Sequence, residues 1–462
     1  MTLLDRTVAE LKRREALLSD EINAWTQSAS KNVNQMGIHK SQFEALKEMM
    51  DGLLAKQAQL LKELSPAQSS QQFAEGYLRL LMEIVGTHDL WRIFSYIFTQ
   101  LKEERLGPLV DAADLVAADC YLTCLNQLRF WGVIKEGQFR EPPLIYLEAD
   151  LSPATASRGK KVQALGFPLG KYRDLRLPIP IVSLPIDYAD CLWLFCTLHH
   201  EVGHNLDQDL KLGRELNQHL QEKLKAQGVS LDRQKTWSRW TNEILADVFG
   251  VLLGGAGFAY TLTSLLLVVA PQWPVLNAEE EHPDHSVRIY LVAEMLRGMV
   301  AKMLRGSGVE VLKEAADKIM QAWNAQGKPA GIESYLKEGD VVVQTCLTQP
   351  LKALANHTLK DLAPDLNGDS KKAADLAKFF GTGSGFDRPL EEVPWRLVPV
   401  AAQLCLQAYD KPNETDLKRL QELSLEYLKQ LPRPEYLEVP ADRSAFRRQL
   451  IKEIDFTMED RS

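Results

Sequence analysis

Residues 193–210, WLFCTLHHEVGHNLDQDL, decide how this chain is read. Trp193, Leu194, Phe195 and Leu198 lead into an uninterrupted polar–apolar run that predicts a helix, and helical residues four apart share a face. His200 and His204 therefore present two imidazoles in one direction, the arrangement that grips one zinc ion through ring nitrogens at about 2.0–2.1 Å. Glu201 lies on the neighbouring turn, within reach of a water held by such an ion. The apolar residues upstream predict a buried helix. Buried polar groups without partners are costly, so two histidines and a glutamate here need a purpose.

The whole chain sets the bounds. Its 462 residues, 45% hydrophobic and 25% charged, suit a folded protein with two to four domains' worth of core. A net charge of -8 leaves no basic footprint and argues against nucleic acid as a partner. The opening MTLLDRTVAELKRREALLSDE scatters charge where a secretory signal needs an apolar core. The six cysteines, at 120, 124, 191, 196, 346 and 405, form neither a disulfide framework nor a paired zinc motif, and the expected compartment is the cytoplasm. Val251 to Ala270 is long enough to span a membrane. Glu243 and Asp247 just before it, Gly254, Gly255 and Gly257 within it, and Pro271-Gln-Trp-Pro274 after it favour a buried core helix over a span.

The pattern divides the chain into four regions. Residues 1–65 read as a helical hairpin or coiled-coil arm, with Leu4, Val8, Leu11 and Leu18, then Leu46, Leu53, Leu54, Leu60, Leu61 and Leu64, at helical spacing. Such stripes suit docking on a protein partner or on the rest of the chain. Residues 71–140 read as helical, 141–300 as the core holding the motif, and 301–462 as helical again. Strand signals sit at Pro143–Leu147 and Leu177–Leu184, joined by a loop over 151–172. Pro178, Pro180 and Pro185 make the second an edge or irregular strand, open to pairing with an extended peptide. Beyond residue 300, helices are expected over 309–323, around 351–359, over 395–410 and over 414–431, with loops at NGDSKK and GTGSG between 367 and 385.

A catalytic zinc takes a third protein ligand. Asp207 and Leu210 stand where the metzincin pattern requires glycine and histidine, so that solution fails. The helix TWSRWTNEILADVFGVLL offers Glu243 instead, with Asp247 four residues on, placed to accept the outer N–H of a ligand histidine. Asp207, Asp209, His219, His282 and His285 are rivals for the third position. In Glu281-His282-Pro-Asp284-His285-Ser-Val-Arg288, a histidine can support an oxyanion and Arg288 can hold a carboxylate or order Asp247. Asp284 there also reads as a helix cap.

The H-E-x-x-H of 200–204 followed by the N-E-x-x-A-D of 242–247 resembles the gluzincin group of zinc metallopeptidases. The likeness covers roughly residues 175–300. It is strong at His200, Glu201, His204, Glu243 and Asp247 and absent from the helical flanks. The His-Pro loop that opens a helix carrying Arg288 is similar to a segment some gluzincin-like peptidases place over the zinc. The resemblance implies a predominantly helical α+β fold, in which a zincin-like catalytic core with a small sheet is flanked by helical regions. It implies one Zn2+ per chain on His200, His204 and Glu243, with Asp247 in support and no other cofactor. It further implies a zinc metalloendopeptidase acting on protein or peptide substrates, with Glu201 as general base and His282, His285 and Arg288 assisting. The alternative is a helical interaction or scaffold protein whose zinc site is structural or vestigial.

Overall fold

The computed structural model describes residues 3–31, 40–65, 69–135, 141–157, 179–269, 278–301, 306–326, 328–363, 365–382 and 393–431. The chain gathers into two compact units, one built mainly on residues 1–107 and the other on residues 108–155 and 182–437.

In the first unit the apolar stripes of α1 (Leu3–Lys31) and α2 (Lys40–Glu63) meet a third helix, α3 (Ser70–Gln100). The turn expected between α1 and α2 lies largely outside the described residues. Ser69 starts α3 with a capping box: its hydroxyl accepts from Gln72 N, and the Gln72 side chain returns to Ser69 N. Leu11, Leu18, Ile22, Phe43, Leu46 and Met50 are buried with Leu80, Trp91 and Phe98. Trp25 packs against Phe43 and Trp91, at 5.2 and 4.7 Å between ring centroids. Leu78, Met82 and Val85 of α3 remain exposed on one face.

The second unit holds the sheet and the motif. α4 (Gly107–Phe130) precedes β1 (Leu144–Glu148), β2 (Ala154–Ala156) and β3 (Ile181–Pro185), which form a sheet in the order β1-β3-β2. Two expectations are corrected. The proline-rich strand is central: it begins after Pro180 and ends on Pro185, so the prolines interrupt no interior hydrogen bond. The end strands are β1 and β2, and β2 lies inside the stretch expected to be loop. Aspartate 114 of α4 anchors the sheet by accepting from Ile145 N at 2.9 Å.

The helices that follow are α5 (Leu198–Leu210), α6 (Leu212–Ala226), α7 (Leu231–Val269), α8 (His285–Val300), α9 (Ser307–Ala325), α10 (Ile332–Thr348), α11 (Leu366–Thr382), α12 (Leu397–Ala408) and α13 (Glu414–Gln430). The fold is predominantly helical with a small sheet, as expected. The sequence signal of α10 is weak, because Gly339 and the β-branched Val341, Val342 and Val343 lower its helix propensity, and burial of Val342 and Val343 overrides this. Residues 351–359 hold no α-helix, only short 3-10 turns (Lys352–Leu354 and the start of Leu359–Leu362) and a Leu351–His357 bridge. NGDSKK is the first turn of α11. Asp365 caps it by accepting from Gly368 N at 3.0 Å, a composition that reads equally as loop. The last residues of GTGSG lie outside the described residues.

The uncharged segment from Val251 continues α7. By length and composition α7 could cross a membrane, yet 83% of its most apolar window is buried, against α5, α8, α9 and α12. Gly255 joins two helical stretches at φ 50°, ψ -131°, a conformation closed to residues with a side chain. Gly255→Ala is expected to destabilise the unit by about 1–3 kcal/mol. Urea unfolding checks this; an unchanged midpoint would contradict the strain argument.

Candidate metal centre

Two consecutive 3-10 turns, Ile186–Asp190 and Leu192–Thr197, lead from β3 into α5. Gln421 of α13 holds their junction, accepting from Leu192 N at 2.6 Å and donating to Ala189 O at 2.8 Å. α5 then presents two adjacent histidines in different directions. His199 is fully buried, 2.7 Å from Cys196 O and 3.1 Å from Arg396 O, and burial pushes it down to about 4, so it stays neutral. His200 turns the other way, toward α7.

Gly203 sets how closely those helices approach. A Cβ there would lie 2.9 Å from Phe249 Cβ and 3.0 Å from Ala246 Cα. The missing side chain lets the ligands from the two helices meet. His200 Nε2 lies 3.1 Å from His204 Nε2 and 3.5 Å from Glu243 Oε2, and His204 Nε2 lies 3.4 Å from Glu243 Oε1. A tetrahedral ion with bonds of about 2.0–2.1 Å needs ligand atoms about 3.3–3.4 Å apart; the two imidazole nitrogens and the Glu243 oxygen nearer to each stand close to that spacing. His200, His204 and Glu243 are the one group of three or more His, Cys, Asp or Glu among the described residues whose ligand atoms cluster closely enough for a metal. Glu243 Oε2 is buried and has no hydrogen-bond partner, an orphaned acceptor aimed where a cation would sit.

A buried layer supports the triad. His200 Nδ1 donates to Asp247 Oδ1 at 2.8 Å, leaving Nε2 toward the metal position. Arg288 of α8 grips Asp247 with two hydrogen bonds, Nε to Oδ2 at 2.7 Å and Nη2 to Oδ1 at 2.8 Å. The ring of Phe258 lies parallel to His200, 6.3 Å away. Glu201 is buried beside the triad; its Oε2 accepts from Thr155 Oγ1 of β2 at 2.5 Å.

The remaining predicted residues separate clearly. His282 Nε2 is 3.4 Å from Glu243 Oε2 and largely exposed. Its segment is held by Trp240 Nε1, which donates to Glu280 O at 3.1 Å. His285 opens α8 half-buried, and the charges it feels are those of Asp284, Arg288 and His282. Asp284 caps α8 by accepting from Ser286 N at 3.0 Å. The rival ligands have other duties. Asp207 accepts from Gly213 N, Asp209 accepts from the Tyr121 hydroxyl, and His219 sits between Glu215 and Glu222 on α6. Thr155 and Phe258 escaped the sequence reading: one sits in a loop-like stretch, the other in a run that reads only as apolar.

The electrostatics suit a cation. Burial alone would push His200 down, but its hydrogen bond to Asp247 and the Glu243 carboxylate 3.5 Å away outweigh this and raise it to about 9. Burial and the neighbouring His200 push His204 down. Burial would raise Glu243, yet the two histidines hold its carboxyl well below the usual carboxylate range. Asp247 is likewise held down against burial, chiefly by Arg288. No family model, curated protein or solved structure matches this chain.

Two expectations follow. Gly203→Ala should force α5 and α7 apart, costing about 1–3 kcal/mol and weakening metal affinity at least about tenfold, measured by chelator competition. Unchanged affinity would show that the close approach is not needed. The folded pKa of His200 is raised, so its stabilising contribution is complete below the ordinary value near ~6.5. That contribution is lost as pH rises through about 9. The thermal midpoint of the metal-free protein should therefore fall across that window, while the metal-loaded protein lacks this component because a ligand imidazole is neutral. Identical profiles with and without metal would refute the assignment.

Proposed function

We propose that this protein is a zinc-dependent peptidase. The observation that carries the reading is a closely spaced His200, His204 and Glu243 group with a further carboxylate, Glu201, held beside it by another partner. A structural zinc site uses four protein ligands and has no use for Glu201, whereas three ligands leave a position for chemistry. His282 approaches Glu243 but stands outside the ligand group.

The donor set of two imidazole nitrogens and a carboxylate fits zinc. When bound there, zinc would lower the pKa of a water toward ~7 and polarise a peptide carbonyl. Glu201 takes the proton from the attacking water and passes it to the leaving amine. Asp247 fixes the His200 tautomer and Arg288 keeps Asp247 ionised. His282, solvent-facing and near Glu243, supports the developing oxyanion, a role its position favours over His285. The substrate is a protein or peptide chain in extended form, since β2 ends the sheet beside Glu201.

Glu201→Gln is expected to retain one metal ion per chain by elemental analysis and to lose about 10²–10⁴-fold in kcat on an unstructured peptide. A metal-replete Glu201→Gln protein with full turnover would sink this mechanism.

A further inference from the structure

We propose that Thr155 is a positioning residue, whose hydroxyl holds one oxygen of Glu201 and leaves the other to take the proton; this rests on the peptidase reading above. Successive helical residues are rotated by about 100°, so Glu201 does not share the face that His200 and His204 present. Something outside α5 has to fix its carboxylate. β2 supplies it.

Thr155 Oγ1 stands 2.5 Å from Glu201 Oε2 and 3.3 Å from Glu201 O. A hydroxyl has one proton, and the short contact to the carboxylate is where it goes. The main-chain oxygen has its own donor in Asn205 Nδ2 at 3.1 Å. Thr155 thus touches both ends of Glu201 and fixes the torsions between them. Its own place is set by the sheet. It is the middle residue of β2, between Ala154 and Ala156, and Ser183 Oγ of β3 meets Ala154 O at 3.4 Å. A threonine suits a strand by its β-branch, but valine would suit it equally, so the hydroxyl is the part that the strand does not require.

The test uses the full-length, zinc-loaded protein and four variants: Thr155→Val, Thr155→Ser, Glu201→Gln, and Thr155→Val combined with Glu201→Gln. Two probes separate the roles. A peptide hydroxamate offers donors to Glu201 as well as oxygens to zinc, whereas a peptide thiol ligates zinc through sulfur alone. Thr155→Val should lower kcat about tenfold, the loss of one hydrogen bond to a charged group, with KM changed less than about twofold. It should weaken the hydroxamate by a similar factor and leave the thiol unchanged. Thr155→Ser should restore both. With Glu201 already replaced, Thr155→Val should change hydroxamate affinity less than about twofold, because coupled residues are not additive.

Unchanged kcat in Thr155→Val, an equal loss for both probes, or additive effects in the combined variant would each overturn the proposal. If Thr155→Val does not fold, Thr155→Ala carries the same comparison. A wild type that cleaves peptides while Thr155→Val is unaffected removes only the tether. A zinc-loaded wild type that cleaves no peptide and binds neither probe removes the peptidase reading and the tether together.

Discussion

Asp247 is the residue on which the site depends. It is 1% exposed and stays ionised because Arg288 meets both of its oxygens. It in turn receives His200, so one buried carboxylate joins α5, α7 and α8. Buried ion pairs are weak sources of net stability, but removing one partner from such a pair costs about 3–5 kcal/mol. The arrangement therefore trades little stability for a fixed geometry. His200 has one tautomer and one orientation, and Glu243, one turn earlier on α7, is carried into register with it.

α5 is held from its other side as well. His199 lies against Arg396 O, while the guanidinium of Arg396 reaches Asp119 of α4 and Asp369 of α11. Arg396 N also donates to Asp119 Oδ2 at 2.9 Å. The helix thus stands between two buried polar networks, one serving the ligand face and one serving the scaffold. Neighbouring histidines meet opposite fates for this reason. Burial drives His199 toward neutrality against the pull of two carbonyls, whereas carboxylates raise His200. The helices beyond residue 300 are not idle material, because Asp369, Arg396 and Gln421 brace the entry to α5.

Much of this was legible in sequence because helix periodicity is local. The i, i+4 spacing of His200 with His204, and of Glu243 with Asp247, fixes shared faces before any tertiary contact is known. For Arg288 the sequence leaves two roles open, holding a carboxylate or ordering Asp247, and its two hydrogen bonds go to Asp247. What was hidden depends on the third dimension. Nothing in Ala154-Thr155-Ala156 distinguishes a short end strand from the loop around it, since three residues carry no period. Pro180 and Pro185 suggested an edge because their place at the ends of β3 depends on strand length, which composition does not give. Asn367 to Lys372 has the composition of both a loop and a capped first turn, and only the continuing helix separates them.

The formal charges around the triad make a last argument for a cation. Glu201, Glu243 and Asp247 bring three carboxylates into one buried region, and Arg288 supplies the guanidinium that faces them from α8. Arg288 is spent on Asp247, at 2.7 and 2.8 Å, and only reaches to 3.9 Å from Glu243. Two carboxylates therefore remain for the ligand side. In the metal-free protein the nearest compensation is a proton on His200, which then lies 3.1 Å from His204 Nε2 and 3.5 Å from Glu243 Oε2. That proton offsets one charge and cannot satisfy three ligand atoms at once. A divalent cation matches both the charge and the spacing, and binding it requires His200 to give up its proton. A metal bound here would thus be linked to stability through the same imidazole that Asp247 holds in place.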